Sequence, residues 1–228
     1  MRPALAQVRQ GPLVDWPWIG RHVDEIVRLL LRHVELTVIA VGLGFAMSLA
    51  LALLVVRWRW LYPPVVSFAG ILYTIPSLAL FAVLVTITGP TITTAEIALV
   101  GYTLLILLRN IVTGLDGVPR DVREAAVGMG FSPAQVLLKV DLPLALPVIV
   151  AGLRVATVTT IGLVTVAALI GVDNLGTFIS QGLQQFFMTE VLLGAVLSIG
   201  LAVVADLILL VVQRLIAPWS RRTVGAAG

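Results

Sequence analysis

The sequence contains no cysteine, a single lysine and two histidines in 228 residues. Without cysteine there is no disulfide, no thiolate nucleophile and no sulfur-ligated metal. The lysine, Lys139, follows Leu138, so there is no Gly-Lys pair from which to build a phosphate-binding P-loop. His22 and His33 lie in a stretch that also carries charges and read as surface residues. No His, Cys or acid cluster stands at metal or catalytic spacing, which excludes a membrane-embedded enzyme and implies no cofactor. Charge is also scarce: 12% of residues are charged and 59% are hydrophobic, whereas soluble domains are about a quarter charged. That difference defines an all-α integral membrane protein. The net charge of +3 belongs to loops at a membrane face rather than to a nucleic-acid surface.

What is present in place of charge is a series of long apolar runs. Leu36 to Val56 carries no charge and suffices for about 30 Å of helix. A second run, Val65 to Thr88, is interrupted by Pro76, where a kink is expected. The third, Thr93 to Thr113, has Glu96 near one end and Arg109 near the other. The fourth, Pro147 to Ile170, holds Arg154, and the fifth, Val191 to Gln213, holds Asp206. Five spans put the termini on opposite sides. With the N-terminus outside, the cytoplasmic segments hold Arg57, Arg59, Arg109, Arg120, Arg123, Lys139, Arg214, Arg221 and Arg222. The outer loops, 89–95 and 171–190, then hold no basic residue, as the positive-inside rule requires. Against this stand Arg2, Arg9, Arg21, Arg28 and Arg32 in the N-terminal segment, partly offset by Asp15, Asp24, Glu25 and Glu35.

The first thirty residues have no apolar core of the kind a signal peptide needs. Residues 1–35 instead form an N-terminal segment. Within it Ile19, Val23, Ile26, Val27, Leu30 and Val34 recur at three- and four-residue spacing, with most charges off that stripe and Trp16 and Trp18 before it. This pattern predicts an amphipathic helix, interfacial or packed on the bundle. Leu175, Phe178, Ile179, Leu183, Phe186 and Phe187 repeat the pattern in the second outer loop. The membrane-spanning body covers 36–215 and a cytoplasmic tail 216–228.

Residues 114–146 separate the third and fourth spans with charges, glycines and prolines. Pro119 can open a helix, Asp121 and Glu124 suit its positive end, and Gly130 can close it in a left-handed conformation. Ser132-Pro133-Ala134-Gln135 then reads as a capping box opening a second helix, which Leu142-Pro143 is expected to end. A helix–turn–helix of this kind is either a rigid force-transmitting knob or a merely structural corner.

The spacing Glu-Ala-Ala, three residues, Gly130, nine residues, Val-x-Leu-Pro resembles the EAA loop of ABC-importer permeases, the binding-protein-dependent transport family. Val140 stands where that pattern commonly has isoleucine. The resemblance implies that Glu124, Ala125, Ala126, Gly128, Gly130, Phe131 and Ser132, closed by Leu142 and Pro143, couple to a separate cytoplasmic ATPase. It also implies an extracytoplasmic substrate-binding protein and a second permease chain in the same bilayer. TIPSLAL (74–80), LRN followed by TG (108–114), LPLALPVIVAGLR (142–154) and ALIG with the later Leu-Gly (168–176) resemble its osmoprotectant branch, importers of glycine betaine, choline and carnitine. Asp173 and Asn174 replace glycines usual in that branch. The alternatives are a permease for another small solute, such as an amino acid or oxyanion, or a secondary transporter or channel that needs no ATPase and leaves the loop spacing unexplained.

Charges within spans require partners. Arg154 and Asp206 either pair structurally or line a transport path, and Thr157 and Thr160 either add polarity to that path or bond back to their own helix. Tyr73, beside Pro76, either packs in the bundle or offers a cation–π face to a quaternary ammonium.

Overall fold

The computed structural model describes residues 13–218, and every regular element among them is helical. Expectations that rest on Arg2, Arg9, Arg221 and Arg222, and on most of the 216–228 tail, lie outside the described residues. A short helix α1 (Trp16–Arg21) leads at His22 into α2 (Val23–Arg57). A 3-10 turn, Arg59–Leu61, precedes α3 (Tyr62–Thr74) and α4 (Ser77–Thr88). Then come α5 (Ile92–Asp116), the short helices α6 (Arg120–Gly128) and α7 (Pro133–Val136), and α8 (Leu142–Ala167). The chain closes with α9 (Gly176–Gln185) and α10 (Met188–Ile216).

Four helical segments are long and apolar enough to cross a membrane, or five if the bent pair 59–74 and 77–88 is one span. Three boundaries differ from the sequence reading. The amphipathic stretch is not a separate helix: residues 23–35 are the first turns of α2, which runs 35 residues without a break, about 50 Å. No proline or glycine interrupts 23–41, and i,i+3 ion pairs Glu25–Arg28 and Arg32–Glu35 support the polar turns. Its buried positions, Leu29, His33, Leu36 and Ala40, follow a stripe that continues into the apolar part. The second span is broken rather than kinked: α3 and α4 meet at 95°, because Ile75 is extended, with ψ 127°, as a residue before proline prefers. The fourth span starts early, in one segment over Pro133–Ile170.

His33 is also not a surface residue. It is fully buried, and its Nε2 donates to the Ile161 carbonyl of α8 at 3.0 Å. The reason is register: one turn on from Leu29 and one turn before Thr37, it lies on the face of α2 that meets the bundle.

The helix at the centre is α5, which is mostly buried, whereas α10 is largely exposed. It packs against α2, α3, α4 and α8. Two close approaches depend on glycine. A Cβ on Gly44 of α2 would lie 1.8 Å from Thr103 Oγ1, and one on Gly152 of α8 would lie 2.3 Å from Asn110 Cβ. By contrast, α10 exposes Val196, Ile199, Val203, Leu207 and Val211, an apolar face suited to lipid or to another chain.

At the end of the bundle away from α6 and α7, α9 packs against α10 and α1 joins them. Trp18 stacks on His22 with ring centroids 4.0 Å apart and meets Phe187 edge-on at 5.4 Å. The Asp15 amide donates to Thr189 Oγ1. Of the periodic stripe, Leu175, Phe178 and Phe187 are buried, while Leu183 and Phe186 are exposed. Asn174 is rigidly held: its Nδ2 donates to the Val172 carbonyl and its Oδ1 accepts from the Gly176 amide at 2.7 Å. Asn174 therefore fixes the start of α9.

Candidate functional site

The polar interruption folds into a protruding knob. Helix α6 begins after Pro119, with Asp121 in its first turn. It ends in a Schellman turn: the Phe131 amide donates to the Ala126 carbonyl, the Gly130 amide to Val127, and Gly130 has φ +84°. Ser132 and Gln135 form the expected reciprocal capping box, with the Ser132 amide donating to Gln135 Oε1 at 2.8 Å.

The second helix does not end at Leu142-Pro143 as expected. After α7 the chain makes a π-helical turn, Leu137–Asp141, and enters α8 with Pro143 in its first turn. Proline at 143 has no N–H to give the Lys139 carbonyl. The Leu142 amide bonds instead to the Leu137 carbonyl, five residues back, and helicity continues across the proline.

Among the coupling residues read from sequence, Glu124, Ala125, Gly128, Gly130 and Ser132 are exposed and Phe131 is half-buried. Ala126 is buried and faces inward, while Leu142 and Pro143 sit half-buried at the root. Two residues outside that set, Val127 and Met129, are 62% and 70% exposed. They give the knob an apolar tip. Lys139 lies 5.7 Å from the centroid of the Phe131 ring and steadies the turn.

Two arginines tie this end together. Arg59, just beyond α2, forms a two-point ion pair with Asp116 at the end of α5. Arg123 of α6 donates from Nε to Asp141 Oδ1 at 2.7 Å and from Nη2 to the Leu115 carbonyl. Neither pair stood out in the sequence. The partners are separated by 57 and 18 positions, and no periodicity links them.

The proposed path residues do not converge. Tyr73, 40% exposed at the end of α3, meets Tyr102 edge-on at 6.0 Å. Pro76 stands at the α3–α4 corner, where the Tyr102 hydroxyl donates to the Ile75 carbonyl. Thr157 bonds back to the Leu153 carbonyl at 2.8 Å, and Thr160 is buried. Asp206 pairs with Arg154 in a groove between α8 and α10, which neither Tyr73 nor Thr160 lines. Gln213 extends that pair, accepting from Arg154 Nη1 and donating to the Pro147 carbonyl at 2.9 Å. Sequence reading left Gln213 out because a glutamine at a span end carries no signal of its own. Among the described residues no group of three or more His, Cys, Asp or Glu side chains could hold a metal ion.

A helical bundle with membrane-length apolar spans and a capped helical knob at one end defines a multi-pass membrane protein. The chain belongs to the family of binding-protein-dependent transport system inner membrane components, whose sequence profile matches residues 39–222. It is 35% identical over 194 residues to the choline transport system permease protein OpuBB of Bacillus subtilis (strain 168), covering 85% of this chain and 89% of that one. It is 36% identical to the glycine betaine/carnitine/choline transport system permease protein OpuCB of the same organism, over 68% of this chain and 71% of that one. A solved chain from inward-facing conformations of the MetNI methionine ABC transporter superposes with a TM-score of 0.75, covering 89% of this chain and 99% of that one. At 21% identity that likeness establishes the fold alone. The protein is thus a multi-pass inner-membrane permease component of a binding-protein-dependent system, with ATP hydrolysis residing in a separate partner.

Proposed function

We propose that this permease admits small quaternary amines, with glycine betaine, choline and carnitine as the substrate class, in an importer driven by a separate ATPase. The observation that carries the coupling part of this reading is the exposed knob. Glu124, Ala125, Gly128, Gly130 and Ser132 form a solvent-facing surface around a turn fixed at both ends. A fixed turn transmits force to the bundle where a flexible loop would absorb it. Ala126, Phe131, Leu142 and Pro143 then act beneath that surface, as packing and root.

The knob end carries Arg57, Arg59, Arg109, Arg120, Arg123, Lys139 and Arg214. The excess supports a cytoplasmic knob, and with it an outer N-terminus and an inner C-terminus. An outer binding protein delivers the solute at the opposite end. A second permease chain, identical or similar, completes the pathway.

The solute passes the α3–α4 corner. Broken backbone at membrane depth is tolerated only where protein buries it or water reaches it. The break follows 13 helical residues, about 20 Å from the start of α3, and Tyr73 and Thr74 are exposed there. A trimethylammonium group cannot donate hydrogen bonds, so an aromatic face such as Tyr73 suits it. Thr157, Thr160 and Asp206 support the moving helices rather than contact solute.

The test is uptake of radiolabelled glycine betaine, choline and carnitine by cells at high osmolarity, with and without this chain. Dependence of at least one amine on both the chain and its ATPase is the expected result. Loss of none overturns the substrate class, and uptake that survives deletion of the ATPase overturns the importer reading.

A further inference from the structure

We infer that Arg123 is a positioning residue that carries movement of the knob into the bundle; this rests on the reading of the knob as the ATPase contact. The argument begins with what joins the knob to the rest of the chain. On the α5 side the connection is the short turn around Gly117 and Val118, held by the Gly117 amide on the Thr113 carbonyl at 2.9 Å and a longer bond from Val118 to Leu115 at 3.5 Å. On the α8 side it is the π-helical turn, Leu137–Asp141, an irregular geometry that occurs mostly as single turns at functional sites. Pushed at its tip, a knob held only by these two links would pivot about Gly117.

Arg123 removes that freedom. Its neighbours Glu124 and Ala125 are exposed, whereas its own guanidinium turns inward and makes contact at two points. Nε reaches Asp141, the last residue of the π-helical turn and the entry to α8, at 2.7 Å. Nη2 reaches the carbonyl of Leu115, a residue 1% exposed in the final turn of α5. That carbonyl lies at the α5 C-terminus, where the Val118 amide reaches it only at 3.5 Å and the helix dipole favours a cation. One rigid fork therefore ties α6 to the ends of two membrane helices.

Exposure separates this contact from its neighbour. The side chains of Arg123 and Asp141 are 31% and 14% exposed, against 56% and 42% for Arg59 and Asp116. The shielded pair is screened less and held in one geometry. Displacement at α6 then reaches α5, which packs against α2, α3, α4 and α8, and so moves the bundle as a unit. Lysine would not replace this arginine, because one ammonium is a point charge without the planar fork that meets both acceptors.

The experiment uses the whole transporter, with its ATPase and binding protein, in liposomes. Choline uptake and phosphate release are measured in the same vesicles, and assembly is followed by the ATPase retained on the purified permease. For R123Q and D141N we expect the solute moved per ATP hydrolysed to fall about fivefold, at the low end of ordinary couplings between sites, with the ATPase still bound. R123K should fall between these and the parent. A merely structural arginine lowers the yield of assembled complex but leaves solute per ATP at the parental value in the complexes that remain. That result, in any variant, overturns the inference. The reading beneath it is tested separately by M129E, at the apolar tip and away from the Arg123 contacts. If M129E retains both the ATPase and parental coupling, the knob is not the contact, whatever Arg123 does.

Discussion

The Arg154 guanidinium lies against the Asp206 carboxylate with two donors on two oxygens, Nε to Oδ1 and Nη2 to Oδ2, each at 2.8 Å. This is the two-point geometry in which arginine holds a carboxylate most firmly. The pair joins α8 to α10 on a face that is otherwise apolar, and Gln213 continues the join to the Pro147 carbonyl near the start of α8. Of the two readings open in the sequence, structural pairing fits this geometry.

Removing either partner leaves the other charge without its counter-ion in apolar surroundings. R154L and D206L should each lower the melting temperature of the purified permease and its yield in the membrane. The double variant R154L/D206L should be more stable than either single one. Melting curves of the three in detergent check this, and additive losses would show that the two side chains act independently.

His33 makes a sharper case, since its Nε2–H supplies the Ile161 carbonyl across the α2–α8 contact. H33F keeps a ring in the fully buried site but leaves that carbonyl without its side-chain donor. A loss of about 1 kcal/mol is expected, the net scale of one hydrogen bond, because the carbonyl keeps its bond within α8. H33Q, which retains an N–H, should lose less. Thermal unfolding of the two variants side by side is the measurement.

Gly130 is the position where a side chain meets no steric obstacle and yet is disfavoured. A Cβ there touches nothing within 4 Å, but φ is +84°, in the region where L-residues cost about 1–2 kcal/mol. G130V should therefore reopen the Schellman turn, leaving the protein in the membrane while uptake falls. G130N, which tolerates the left-handed region, should stay nearer the parent. Uptake and membrane abundance, measured together, separate uncoupling from loss of protein.

How far the sequence reached depends on the range of the interaction. The knob was legible because its determinants are local: Gly130 closes one helix, and Ser132 and Gln135 open the next within four residues. The spans were legible because apolar length is a sum over neighbours. The continuity of α2 was not, because a charged amphipathic stretch and an apolar span share one helical period and nothing between them marks a boundary. The break at Pro76 was foreseen as a kink, but its 95° angle also reflects the Tyr102 hydroxyl on the Ile75 carbonyl, a contact across 27 positions. His33, Arg123 and Gln213 escaped for the same reason. A buried partner on a distant helix leaves no trace in spacing.

The α3–α4 corner offers a test that separates shape from charge. Tyr102 serves the break through its hydroxyl, whereas Tyr73 offers only a ring. Y102F should therefore loosen the corner and slow uptake of every solute the transporter accepts, by removing the one side-chain donor that the Ile75 carbonyl receives. Y73F should retain transport of choline, because the cation–π attraction belongs to the ring face. Y73L should weaken it about two- to fivefold, matching the roughly 0.5–1 kcal/mol such a contact contributes at a partly exposed site. Competition by 3,3-dimethylbutanol, in which a neutral tert-butyl group replaces the trimethylammonium, distinguishes the two cases. If the neutral compound competes as well as choline in the parent, Tyr73 reads size alone and the cation–π assignment fails. If it competes poorly in the parent and Y73L narrows the difference, the ring is reading charge at the α3–α4 break.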